Sequence, residues 1–512
     1  MKRRVLCWAG AACALLGWVG AVLAQPRLTV TNLHVQTWPH APDLQCTPAR
    51  VKPGAAKPVD TDPPEVPDDD AVQSQVQDFR LNPDVPVSAS VNGGGSGPGV
   101  ARPAARFWQP AQSAQALRVG IWGDSHLAAG FFTSELVRLS QLPADQVSPR
   151  FVPANMNRPG VRLPLRKSCV SPQWQYEPAH VASDLSATGP GLVNLFSQKE
   201  DAWLAWDLRN PQGQPDKRSV RFLYQQTNAP LIVAIRVDGG PEQRIDLQGI
   251  EGPAVLELEG DTPLSTVHMR LLQGAFRWQG LEWALPAQTR LQLDVFGYPG
   301  ATVAGWRQAR PDELTAWWGS AAYDVVVLEF GTNEGNVQPF DAAAYARMLQ
   351  ASVTAWRSQF PKAACVLVAP GDRGVLVRRS QKLAPAASMN SANSVHGKAQ
   401  SGKLAKGGKT STARPELAGG ADLLRFTRVH AQIGRIQQQV ASAHGCRYWS
   451  MLDAMGGAGG AYRWAKQTPA LMARDLIHFT VPGYQRLAQS FAQDMGWNPA
   501  VFAREVSSPA AD

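Results

Sequence analysis

Four short stretches of the sequence bring together residue types that can do acyl chemistry. Gly123-Asp124-Ser125-His126 follows an apolar run, Leu117–Trp122, and precedes a stretch of helical spacing, Ala129–Leu142. A serine hydroxyl is a weak nucleophile until a base takes its proton. Asp475-Leu476-Ile477-His478 offers an imidazole for that purpose, with a carboxylate three residues earlier, close enough within one turn to fix its tautomer. Gly331-Thr332-Asn333 ends a very apolar run, and its amide can donate to an oxyanion. Gly300 follows another such run, and a glycine lets its backbone N–H approach a reacting carbonyl without a side chain in the way. Gly297 competes for that role; Gly300 is preferred because it is expected to open the next helix, where N–H groups lack partners. Each motif also has a plain reading: Asp124 and Ser125 as a helix cap, Asp475 capping a loop around His478, and Asn333 shaping a turn.

The elements that must position these residues are legible as runs. Leu117–Trp122, Leu291–Phe296, Asp324–Phe330, Ala364–Ala369 and Arg447–Met451 are short and apolar, and the helical stretches Thr302–Trp318, Ala342–Phe360 and Leu423–Ala443 separate most of them. A final helix follows Pro482. Buried strands alternating with helices predict a parallel sheet with helices on both faces, a flavodoxin-like three-layer α/β sandwich. Its strands should end in the crevice where ligands bind. Between the first two strands the pattern changes: Ser219–Gln225, Leu231–Val237, Ala254–Leu258, Val267–Leu272 and Phe276–Trp283 are short runs broken by Gly, Pro and Asp. They predict an antiparallel β-sandwich.

Bulk properties bound the setting. The chain has 512 residues, enough for two or three domains. Lys2, Arg3 and Arg4, then an apolar run ending in Val22-Leu23-Ala24, read as a secretory signal cleaved after Ala24 and so as export to the periplasm; an uncleaved membrane anchor is the rival. No later segment reads as a membrane span. Cys46, Cys169, Cys365 and Cys446 remain after cleavage, an even count for an oxidising compartment, and Cys365 with Cys446 is the favoured pair because both start short strands expected to be neighbours. No Cys-x-x-Cys or His spacing suggests a metal, and no cofactor is expected. The net charge of +9 is carried by the signal and by a Lys-rich stretch, 377–417, so the folded body is near neutral and nucleic acid is not an expected partner. That stretch is expected to be a disordered loop, or less plainly a contact for an acidic polymer or anionic membrane. Residues from about Pro53 to Ser113 are rich in Pro, Gly, Ser and Asp and read as a flexible linker. The alternating Leu28–Thr37 before them suggests an edge strand.

Gly123-Asp124-Ser125, Gly300, Gly331-x-Asn333 and Asp475-x-x-His478 occur in the order of the blocks of the SGNH (GDSL-like) hydrolases, and the chain resembles that family from about Leu117 onward. The resemblance implies Ser125 as nucleophile, Asp475 and His478 as its partners, and an oxyanion hole of the Ser125 N–H, Gly300 and Asn333. The β-rich insertion, Gly331-Thr332-Asn333-Glu334 and Ala454-Met455-Gly456-Gly457 are similar to those of bacterial peptidoglycan O-acetylesterases, in which the insertion is a carbohydrate-binding-like module. The long linker before Ser125 and the basic stretch depart from them. The expected partition is signal 1–24, N-terminal segment and linker 25–115, hydrolase 116–150 with 290–512, and module 151–289. The expected partner is an acetylated polysaccharide such as peptidoglycan. His126, Glu334 and Asp372, with Arg373, are expected to rim the crevice. Trp174 is a candidate for stacking on sugar, against sandwich core as the alternative for it and for Trp203, Trp206, Trp278 and Trp283. An O-acetyltransferase with the same triad, or a non-catalytic glycan-binding protein, are the rival functions.

Overall fold

Strands of Val, Ile, Leu and Trp need both faces covered, and they form a six-stranded parallel sheet. A computed structural model describes residues 28–39, 41–46, 65–81, 107–110, 115–318, 323–377 and 421–502. The strand order is Arg447–Ser450, Ala364–Ala369, Val325–Glu329, Leu117–Gly123, Leu291–Gly297 and Val147–Ser148. The five apolar runs read as strands thus all lie in this sheet. Alternate residues face opposite cores. Val325 and Val327 join Phe132, Leu136, Leu487 and Phe491 on one side, while Val326 and Leu328 join Leu349, Val353, Trp356 and Ile433 on the other. The helices Phe131–Ser140 and Val481–Met495 therefore cover one face, and Ala342–Gln359 and Arg425–Ala443 the other.

Helix ends follow local chemistry. The Asp341 carboxylate accepts the Ala344 N–H at 2.9 Å and starts one helix. Thr480 caps another, Pro482 stands in its first turn, and Gly496 closes it at φ 73°. The helix expected over Thr302–Trp318 is two helices, Ala304–Gln308 and Pro311–Trp318. A proline has no N–H to continue the first, but fits the opening turn of the second.

The parallel register sets the functional edge. Gly123 lies opposite Gly297 on one side and Glu329 on the other, and Glu329 lies opposite Val368. The segments that leave these positions therefore emerge level with one another. Successive crossovers run to opposite sides of Leu117–Gly123, so this edge includes the topological switch point where open α/β sheets bind ligands.

Together with the strand Thr29–Val35, the insertion forms a sandwich of a seven-stranded and a five-stranded sheet. Trp206, Phe222, Tyr224, Phe276 and Trp278 fill the space between them. Thr29–Val35 is an edge strand, pairing in parallel with Gly252–Leu264 of this module. Cys46 is bonded to Cys169 in the module, and Cys365 to Cys446 in the α/β body, the latter being the pair expected from the sequence.

Part of the expected flexible linker is ordered. Asp69–Leu81 is a helix whose Val72 and Val76 are buried against the α/β body. Glu65 and Val377 exchange backbone hydrogen bonds of 2.9 and 3.0 Å, and the Trp108 indole donates to Met495 O at 2.8 Å. Composition averaged over the whole stretch hid two valines at helical spacing and the Phe107-Trp108 pair, which have apolar surface enough to dock. The signal and nearly all of the basic stretch lie outside the described residues. Replacing Val72 and Val76 together by alanine is expected to cost about 3 kcal/mol, from roughly 0.8 kcal/mol for each buried methyl-sized group removed. A lowered urea midpoint for the α/β body would be the readout.

Candidate active site

Ser125 opens a four-residue helix directly after Gly123. Asp124 is fully buried, and its carboxylate accepts the His126 N–H at 2.9 Å, so the cap expected from the plain reading exists alongside the chemistry. Far along the chain, Asp475–His478 forms a tight turn. The Ala473 N–H bonds His478 O at 2.8 Å, and Leu476 adopts φ 55° with its side chain wholly buried. A left-handed leucine is costly and persists only where the surroundings over-determine it. Here the buried side chain, and the Gly374 N–H donating to Leu476 O at 3.0 Å, hold the turn.

These two elements meet. His478 Nε2 lies 3.0 Å from Ser125 Oγ, and His478 Nδ1 lies 2.7 Å from Asp475 Oδ2. The other Asp475 oxygen accepts the Ile477 and His478 N–H groups, each at 2.9 Å. Burial raises the affinity of Asp475 for a proton, but these bonds and the imidazole outweigh it and hold the carboxyl well below its usual range. The hydrogen bond to Asp475 raises the His478 pKa above its ordinary value, against the opposing effect of burial. An imidazole so placed can accept the Ser125 proton, and its charged form is stabilised.

The donors sit on the neighbouring segments. Gly300 lies at φ 89° in the turn closed by the Ala301 N–H bonding Tyr298 O at 2.9 Å. It does not open the next helix, which begins at Ala304. Its glycine is required by the backbone angle, since a Cβ there would meet nothing within 4 Å. At Gly297 a Cβ would fall 2.4 Å from the Ala128 nitrogen, so that glycine serves the close packing of strand end on serine helix. Asn333 Nδ2 donates to Ala301 O at 2.9 Å and to Asp124 Oδ2 at 3.3 Å. One amide thus links the Gly300 turn to the serine turn, with its longer bond the easier to exchange.

Three of the expected rim residues are buried props. The Glu334 carboxylate accepts Val303 N–H at 2.9 Å and Gly331 N–H at 3.0 Å, joining the Gly300 and Asn333 segments; burial pushes its pKa up to about 7. His126 is 3% exposed, its Nδ1 lies 3.2 Å from the Tyr484 hydroxyl, and burial pushes its pKa down to about 3. Asp372 is 1% exposed and binds the Thr427 hydroxyl at 2.6 Å and the Ala461 N–H at 3.0 Å. Each follows a strand end or flanks a motif, which places it near the crevice but does not say which way it points. Trp174 is likewise not a sugar platform: it is 8% exposed, packs edge-on to Phe276, and donates its indole N–H to Trp203 O at 3.1 Å. Trp206, Trp278 and Trp283 are also buried core.

Sequence reasoning missed Glu329. It ends the strand beside Ser125's, is fully buried, and its Oε2 accepts the Asp124 N–H at 3.2 Å. Its carboxyl faces that of Asp124. Burial raises both pKa values, and the charge of Asp124 pushes Glu329 higher still. The signal was a carboxylate at the end of the otherwise apolar Val325–Phe330.

Residues 260–486 match the model of the GDSL-like lipase/acylhydrolase family. The similarity to that family covers somewhat less than half of the chain. The match takes in Gly300, Asn333, Asp475 and His478 and begins after Ser125 and most of the insertion. The chain is accordingly a carboxylic-ester hydrolase with the SGNH fold. A solved structure described as a peptidoglycan O-acetylesterase is 21% identical, with 77% of this chain and 93% of that chain covered at a TM-score of 0.52, a likeness of fold that spans the module as well. An acetylxylan esterase from Geobacillus stearothermophilus is 15% identical over 41% of this chain and 75% of its own, with a TM-score of only 0.25. No protein of curated function matches the sequence.

In this acylhydrolase the His478 imidazole is expected to titrate above the ordinary histidine value of about 6.5. Asp475→Asn weakens the hydrogen bond and removes the charge that raise it, so the titration midpoint should fall. NMR titration of the His478 ring checks this; an unchanged midpoint would show that the contact does not hold the imidazole.

Proposed function

We propose that the protein is an exported serine esterase that removes O-acetyl groups from a cell-envelope polysaccharide, with peptidoglycan the favoured polymer. The observation that carries the reading is the 3.0 Å contact between Ser125 Oγ and His478 Nε2, backed by the 2.7 Å contact to Asp475. Ser125 attacks the acetyl carbonyl carbon while His478 takes its proton. Asp475 stabilises the imidazolium. The negative oxygen of the tetrahedral intermediate is held by the Ser125 and Gly300 N–H groups and by Asn333, which exchanges its long bond to Asp124 for the oxyanion. His478 then protonates the departing sugar oxygen, releasing the deacetylated alcohol. Water, deprotonated by the same imidazole, attacks the acetyl-serine; acetate leaves and the hydroxyl is restored. The props fit this use: Glu334 fixes the Gly300 and Asn333 segments relative to each other, and Glu329 holds the serine turn by accepting the Asp124 N–H.

The polymer assignment rests on resemblance: on the fold shared with a structure described as a peptidoglycan O-acetylesterase, module included, and on the blocks quoted above. The basic start and apolar run before Gln25 support export to the periplasm.

Ser125→Ala is expected to abolish acetate release from acetate esters, measured with 4-nitrophenyl acetate; full activity in that variant would defeat the assignment. Asn333→Ala should lower kcat by about a hundredfold or more with a smaller change in KM, because its donor is used mainly in the transition state. Acetate released from O-acetylated peptidoglycan should exceed that from acetylated xylan or alginate. Transfer of acetyl to a glycan hydroxyl in place of acetate release would identify a transferase instead.

A further inference from the structure

Two arginines flank the crevice with no ion pair to a carboxylate among the described residues, the charge of Asp475 acting on Arg373 from beyond contact. Arg373 follows the strand Ala364–Ala369 on the functional edge. The next residue, Gly374, is hydrogen-bonded to Leu476 inside the Asp475–His478 turn. The Arg373 guanidinium lies 3.8 Å from the Phe426 ring centroid and donates to the Asn336 side chain, three residues past Asn333. It is therefore held between the segment bearing Asn333 and the segment bearing the imidazole. It is close enough for its charge to oppose protonation of His478.

Arg158 stands on the Gly300 side and comes from the inserted module's leading segment. Its guanidinium lies 5.4 Å from the Tyr176 ring centroid and 5.2 Å from that of Tyr298. The Tyr298 N–H bonds Gly123 O at 3.1 Å, which puts that ring within two residues of both the serine turn and Gly300. The loop carrying Arg158 is fastened to the same site: Asn155 Nδ2 donates to Gly297 O at 2.7 Å, and the Arg162 N–H to Ala128 O, at the end of the serine helix, at 2.8 Å. Some part-buried guanidinia elsewhere are neutralised by carboxylates, as with Arg150 on Glu282 and Arg118 on Asp324. At the crevice Arg158 and Arg373 lie on aromatic rings. A ring face orients a guanidinium and lowers the entropy lost on binding, yet leaves its N–H fork able to take an anion.

We propose that Arg158 and Arg373 are specificity residues that bind carboxylates of the substrate on either side of the ester, so that the substrate is an acetylated glycan bearing negative charge. This rests on the ester-hydrolase reading for the position of the ester, but not for the binding itself. The carboxylate can belong to the sugar ring, as in a uronic acid, or to a peptide branch. Two charge-assisted contacts, each bidentate at best, would favour such a glycan over a neutral one.

Calorimetry on the full chain carrying Ser125→Ala tests this without turnover. The ligands are an O-acetylated tetrasaccharide of uronic acid, its carboxyl-reduced neutral counterpart, and an O-acetylated disaccharide with a peptide branch ending in a free carboxylate. At least one acidic ligand should bind tenfold or more tightly than the neutral one, and lose affinity as salt rises; the tighter acidic ligand identifies the source of the carboxylate. Arg158→Gln and Arg373→Gln should each bring that affinity towards the neutral value, and Arg373→Lys should keep part of it. As a check that needs no variant, the unacetylated acidic saccharide should inhibit hydrolysis of 4-nitrophenyl acetate by the native chain competitively, and the neutral one should not. Equal affinity for charged and neutral ligands, or affinity indifferent to both arginines, overturns the proposal. Absence of ester hydrolysis by the native chain, with charge-selective binding intact, would instead overturn the catalytic reading alone.

Discussion

The site depends on the parallel register of three strands. With Gly123 opposite both Gly297 and Glu329, the segments bearing Ser125, Gly300 and Asn333 leave the sheet at one level, a few ångströms apart. No side chain has to reach far: one amide, Asn333 Nδ2, touches both of the other segments. A one-residue slip in any of these strands would turn its side chains to the opposite core and move its donor away from the hydroxyl. The alternation of Val325 and Val327 against Val326 and Leu328 makes such a slip costly, because each pair is buried in a different core. Core packing and site geometry are thus fixed by the same pattern.

Behind the reacting groups lies a layer of buried polar residues. Asp124, Glu329 and Glu334 stand together where an apolar core would have been easier to build. A buried carboxyl is tolerable when it keeps a proton or is saturated with donors, and both solutions occur here. Burial drives Asp124 and Glu329 towards their protonated forms, while Glu334 collects two backbone N–H groups. Each ties together two segments that would otherwise be held only by their strands. The same logic governs Leu476, whose unfavourable backbone angle is held by a buried side chain, so that Asp475 and His478 can face each other across one turn.

The sequence made the parallel sheet, the sandwich and the four motif blocks legible because each leaves a local trace: apolar runs of strand length, Gly and Pro breaks, and chemistry-bearing residues at run ends. The Cys365–Cys446 pair was legible for the same reason, since both residues begin neighbouring strands. Orientation was not. His126, Glu334 and Asp372 stand beside motif positions, but each turns inward to a partner more than thirty residues away in sequence, or more than fifty, and no local pattern encodes that. Trp174 could have packed or stood exposed; which occurred depends on how the two sheets of the module close over it. The helix at Asp69–Leu81 was hidden by the composition around it. Glu329 needed the neighbouring strand's partner, Asp124, to be visible as half of a pair.

The segment before Ser125 has a mechanical consequence. Its first part adds a strand to the module and is bonded there through Cys46, and its later helix is docked on the face of the α/β body through Val72 and Val76. The module is also joined to that body by the two chain crossings that lead into and out of it. It also packs on that body directly: the Trp122 indole donates to Pro190 O at 2.9 Å, that of Trp317 to Thr188 O at 3.1 Å, and Leu223 and Val255 share a core with Trp306 and Trp318. The module is thereby kept at a set distance and angle from Ser125, as by a jig rather than a hand.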